Sequence, residues 1–168
     1  GQAEPNREIR EKTAELVEGC GSTEEKIERI VSFVSRDITY GQGPFFQSAF
    51  VPRAAKEVLQ DRFGDCKDQA CLLIAMLAEA GIDSCYYALT TPHLARDVRF
   101  LPSPRFSHVV VCRRLADGTM QWFDPTFKYG VADQIPLALS GCPALVIREG
   151  ERQLTPISRA SVDDHPFT

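Results

Sequence analysis

Cys66, His108 and Asp124 are the residues whose types and settings suit the chemistry of a sulfur nucleophile in this chain. A cysteine on the first turn of a buried helix sits at the positive end of the helix dipole, which favours thiolate over thiol. That placement is not sufficient, because a nucleophile needs a base and the base needs a group to orient it. His108, in Ser107-His108-Val109-Val110-Val111, puts a lone imidazole at the entrance to a strand. Asp124, in Trp122-Phe123-Asp124-Pro125-Thr126, puts a carboxylate at the exit of its neighbour.

The helix that must carry Cys66 is legible. Gly64 punctuates the chain, and Asp65 can accept from the free N–H groups of the following turn. From Ala70 to Ala80 the residues are nearly all apolar, which reads as a helix buried all round, and Gly81 stops it. Upstream, residues 7 to 18 form a short, mostly solvated helix broken by Gly19-Cys20-Gly21. Ser22-Thr23-Glu24-Glu25 is a capping box, opening a helix with Ile27, Ile30, Val31 and Val34 on one face and its end near Arg36. Ile38-Thr39-Tyr40 is β-like and Gly41 to Pro44 turns. Phe45, Phe46 and Phe50 read as core or as the lip of a groove, and residues 53 to 60 as a short helix.

Beyond Gly81 the period changes to that of strands: Ile82 to Leu89, Phe106 to Leu115, Thr119 to Asp124, and a hairpin from Ala144–Ile147 to Gln153–Thr155. Strand parity decides whether His108 and Asp124 can meet, since a one-residue change of register moves a side chain to the other face. A two-residue turn at Asp117-Gly118 would pair Ala116 with Thr119 and leave Asp124 on the face that His108 does not use. A three-residue loop with Gly118 left-handed pairs Leu115 with Thr119 instead. Asp124 then lies across from Val110, with His108 its diagonal neighbour, roughly 7 Å away at the backbone. The triad therefore requires the bulged hairpin. Helices first, one buried central helix, then an antiparallel sheet make an α+β fold.

The whole-chain properties narrow the field. With 168 residues, the chain has the length of one domain, which we assign to residues 1–158, with 159–168 a polar tail. A net charge of −4 argues against nucleic acid as a partner, and no apolar run approaches a membrane span. The opening Gly1-Gln2-Ala3 reads as a cut boundary, so the absence of a signal peptide says little about compartment. Six cysteines without a C-x-x-C pair make neither a disulfide scaffold nor a zinc site, and no metal or cofactor is expected. Cys71, Cys85 and Cys112 read as small buried hydrophobes. Lys67 reads as solvated, Trp122 as core or cleft wall, and Asp65 and Asp68 as helix-start carboxylates. Arg96, Arg99 and Arg105 sit in a long loop, Thr90 to Arg105, where nothing decides between a solvated loop and recognition of acidic groups.

Gly64-Asp65-Cys66-Lys67-Asp68, Phe106-Ser107-His108-Val109 and Trp122-Phe123-Asp124-Pro125-Thr126 together resemble the bacterial transglutaminase-like superfamily. More narrowly, the pattern is similar to the transglutaminase-like core between two β-rich flanking domains of bacterial envelope proteins. Val51 to Leu59 and Ala144 to Ile147 agree, and the likeness covers roughly residues 22 to 157. The resemblance implies a papain-like fold with Cys66 as nucleophile, His108 as general base and then acid, and Asp124 orienting the imidazole. It implies acyl transfer or hydrolysis at amides of peptide or protein substrates, through a thioester. The oxyanion hole would use the Cys66 N–H and a second donor, for which Tyr40 and Gln60 are candidates. Flanking domains of a longer chain and a periplasmic or envelope location are further expectations of the resemblance. The alternative is a non-catalytic binding or scaffolding module that keeps the fold. A redox or metal role for Cys66 with Cys71 fails on spacing, since five residues along a helix puts them on different faces.

Overall fold

A computed structural model describes residues 2–41, 51–91, 106–128 and 135–158. Phe45, Phe46, Phe50, the arginines of the long loop, His93, His165 and the expected tail lie outside them. Four helices precede most of the strands: α1 (Arg7–Val17), α2 (Thr23–Asp37), α3 (Ala55–Asp61) and α4 (Cys66–Glu79). Each of the longer three starts where a side chain accepts a free N–H. Asn6 caps Ile9 at 3.0 Å, and Ser22 caps Glu25 at 3.1 Å. Glu25 reaches back to the N–H of Gly21 rather than to that of Ser22, so the box closes one residue earlier than expected.

Two short strands, β1 (Thr39–Tyr40) and β2 (Phe63–Gly64), form a parallel pair. The remaining strands are β3 (Cys85–Thr90), β4 (His108–Arg114), β5 (Met120–Phe123), β6 (Pro143–Val146) and β7 (Leu154–Pro156). They make one antiparallel sheet in the order β5-β4-β3-β6-β7. This is the α+β architecture that the pattern predicts. β3 starts at Cys85 rather than Ile82, because Ser84 adopts a left-handed conformation (φ 65°) that no continuous strand tolerates.

The sheet is covered on both faces, which is why β4 reads as a nearly continuous apolar run. Val111 and Phe123 pack with the buried residues of all four helices, whereas Val110, Cys112 and Trp122 join Ala88, Leu139, Val146 and Ile157 on the opposite face. α4 forms the centre of the first cluster: Ala70 to Leu73 and Ala75 to Leu77 are buried. It is not enclosed all round, since Ile74 is only half-buried and Ala78 is exposed, one turn apart on the same stripe. Burying these two apolar faces is the main driving force for holding helix and sheet in a fixed relation, and that relation positions the ends of α4, β4 and β5.

Candidate active site

Cys66 is the first residue of α4. Its helix start is held by a reciprocal box in which Asp65 accepts the N–H groups of Lys67 (3.1 Å) and Asp68 (3.3 Å), while Asp68 accepts that of Asp65 (3.3 Å). Asp68 is buried and its other oxygen takes the N–H of Arg53 at 2.9 Å. The Arg53 guanidinium in turn bonds the carbonyl of Phe63 at 3.2 Å and pairs with Asp61. Both carboxylates are thus structural anchors of the turn that presents Cys66. Lys67 corrects the expectation of a solvated side chain: it is 15% exposed and ion-paired with Asp65. Gly64, just before this turn, leaves no room for a side chain, since a Cβ there would lie 2.7 Å from the Cβ of Asp68.

His108 opens β4, and Asp124 follows the last residue of β5. The hairpin between them has the bulged register. Val111 pairs with Phe123 and Cys112 with Trp122, Leu115 N–H donates to the Thr119 carbonyl at 2.9 Å, and Gly118 is left-handed (φ 87°). His108 and Asp124 therefore leave the sheet on one face, and His108 Nε2 lies 3.0 Å from Asp124 Oδ2. The carboxylate is 3% exposed. Its second oxygen, Oδ1, accepts from the backbone N–H of Thr126 (2.9 Å) and from the Thr126 hydroxyl (2.7 Å).

The imidazole also interacts electrostatically with Cys66. Burial on its own would lower the pKa of His108. The hydrogen bond and negative charge of Asp124, with the interaction with Cys66, outweigh it and raise the pKa to about 9. With Nε2 committed to Asp124, Nδ1 is the ring nitrogen that a second partner would use. An imidazole held this way can exchange a proton with the sulfur while the carboxylate fixes its orientation.

The two oxyanion candidates fare differently. Tyr40 pairs with Gly64 in the β1–β2 register, and Gly41 N–H donates to the Gly64 carbonyl at 3.3 Å. That pairing was not legible in the sequence, where Phe63-Gly64 reads only as punctuation. It sets Tyr40 within electrostatic range of Cys66, Asp65 and Asp124. Burial, then the charges of Cys66, Asp65 and Asp124, raise the pKa of its hydroxyl. Gln60 is not brought to the site. It lies on the last turn of α3, on an exposed surface, and its amide donates to both carboxylate oxygens of Glu8 (2.9 and 2.7 Å).

The other cysteines stand apart. Burial raises the thiol pKa of Cys71, raises that of Cys85 to about 11, and raises that of Cys112 to about 12. Trp122 is core, 2% exposed.

The model of the transglutaminase-like superfamily matches residues 10–111, more than half of the chain. That span includes Cys66 and His108 and ends before Asp124. None of the curated proteins matches the chain. Among solved structures, a "putative protease" from Parabacteroides distasonis superposes with a TM-score of 0.64 at 20% identity. The superposition covers 92% of this chain and 29% of that protein, so this chain spans under a third of its neighbour's length.

Proposed function

Because this chain belongs to the transglutaminase-like superfamily, we propose that it is a cysteine peptidase-like acyl-transfer enzyme acting on amides of peptide or protein substrates. Cys66 is the nucleophile, His108 the proton shuttle and Asp124 its orienting group. The observation that supports this reading is the imidazole of His108, which contacts Asp124 through Nε2 at 3.0 Å and interacts electrostatically with Cys66.

The reaction balances on these groups. The Cys66 thiolate forms a bond to the amide carbon, and the carbonyl electrons move onto oxygen. Collapse of the tetrahedral intermediate expels the amine, which takes the proton from His108 Nδ1 and leaves a thioester. Water, or an acceptor amine, then gives a proton to Nδ1 and attacks the thioester carbon. The C–S bond breaks and the thiolate returns. Acylation removes the interaction with the Cys66 sulfur, one of those that hold a proton on His108. The imidazole thereby becomes a better base when the second half of the reaction needs one.

The N–H of Cys66 is the first oxyanion donor, since the Asp65 carboxylate takes the N–H groups of Lys67 and Asp68 and leaves this one. Tyr40 is the second.

The test is to incubate the chain with activated acyl substrates and peptide amides and read the intact mass after acid quenching. The proposal expects one acyl group on Cys66, absent in C66A. Turnover without acylation of Cys66, or equal acylation of C66A, contradicts it. A chain that binds peptide but never acylates is a scaffold.

A further inference from the structure

Asp124 is fastened at both oxygens, and only one fastening is a necessity of the local turn. The backbone N–H of Thr126 donates to Oδ1 and Phe127 N–H donates to the Asp124 carbonyl at 3.1 Å, with Pro125 between them. These two bonds define an Asx turn that most residues at position 126 would form. The hydroxyl of Thr126 adds a third bond, 2.7 Å to the same Oδ1. The torsion that turns an aspartate carboxylate about its stem is soft, with broad minima. With one donor on Oδ1 the group can swing Oδ2 away from the imidazole. With two donors on Oδ1, Oδ2 stays aimed at Nε2. At 3% exposure little water reaches the carboxylate to replace the hydroxyl.

We propose that the Thr126 hydroxyl is a positioning group for the site: it locks the Asp124 carboxylate so that Oδ2 orients His108 toward Cys66. The inference rests on the roles proposed for His108 and Cys66, but its signature is readable without turnover. Among the described residues, the titratable groups acting on the imidazole are Asp124 and Cys66, and both interactions depend on the position of the ring.

The experiment is a pH titration of the His108 ring nitrogens by ¹⁵N NMR in wild type, T126V and T126S, with Cys66 alkylation rates measured in parallel. T126V keeps the shape and the backbone donor and loses the hydroxyl; T126S restores it. The expected result is a fall of the His108 midpoint by about one unit in T126V, a tenfold loss of proton affinity. Cys66 alkylation slows by about tenfold with it, and T126S stays within about twofold of wild type. If T126V does not fold, T126A carries the same comparison. A T126V protein with the wild-type midpoint and unchanged Nε2 contact overturns the role of the hydroxyl. A midpoint that follows the hydroxyl while Cys66 is inert in every variant supports the positioning role and sinks the catalytic reading instead.

Discussion

His108 and Asp124 sit sixteen residues apart and meet at 3.0 Å, Nε2 to Oδ2, because a three-residue loop with a left-handed glycine sets their strands in register. In the proposed mechanism this contact leaves Nδ1 to serve Cys66, and the carboxylate acts by orientation as much as by charge. Asp124→Asn replaces an acceptor by an amide that can present a donor to Nε2, favouring the wrong tautomer. The expected loss in acylation rate is on the order of 10²–10⁴-fold. The His108 midpoint should fall from about 9 toward the ordinary 6.5. Stopped-flow acylation with NMR titration measures both. Unchanged rate and midpoint would contradict the orienting role.

The raised pKa of His108 fixes the sign of a stability effect. The folded chain holds the imidazole proton more tightly than the unfolded chain, for which the ordinary value is 6.5. The stabilisation is full below about pH 6.5, fades as pH rises, and is gone above about pH 9. Urea unfolding of wild type and H108A between about pH 6 and pH 10 should show a wild-type advantage that shrinks with pH. An advantage that grows with pH has the wrong sign.

Gly64 is required for space. A Cβ there would lie 2.7 Å from the Cβ of Asp68 and 3.4 Å from Val58 Cγ1, both packed groups. Gly64→Ala should cost about 1–3 kcal/mol in urea unfolding. It should also slow Cys66 alkylation, because Asp68 anchors the turn that presents the sulfur. A neutral G64A would mean that the α4 start yields freely.

Gly118 is required for backbone conformation. Nothing lies within 4 Å of its Cβ position, but φ is 87°. Gly118→Ala should cost about 1–2 kcal/mol. The register depends on the loop length rather than on this side chain, so the reactivity of Cys66 should stay within about twofold. Lost reactivity with unchanged stability would contradict that separation.

Much of the site could be read from the chain because its determinants are local. Helix caps, an apolar helix after Asp65 and turn chemistry at Ala116-Asp117-Gly118 are short-range signals, and parity converts the last into a statement about Asp124. What escaped is non-local. Phe63-Gly64 has no strand signature of its own, and its pairing with Thr39-Tyr40 exists only because α3 returns the chain alongside β1. Gln60 stood at a suitable spacing from Cys66, yet spacing carries no direction, and α3 turns that side chain toward Glu8. Thr126 did leave a trace. Asp-Pro-Thr after a strand is an Asx-turn sequence, but the second bond from its hydroxyl needs coordinates to be seen. The burial of Lys67 is of the same kind, since a lysine two residues from an aspartate reads as surface until both are packed.

The central claim is that Cys66 and His108 act as one unit, and cysteine-resolved alkylation tests it most directly. Iodoacetamide labelling at neutral pH, followed by peptide mass spectrometry, gives a rate for each of the six cysteines. In wild type Cys66 should react fastest, ahead of the buried Cys71 and Cys112 and the half-buried Cys85, and H108A should remove at least tenfold of that lead. A Cys66 that labels no faster than these three thiols, or one equally fast without His108, contradicts the account.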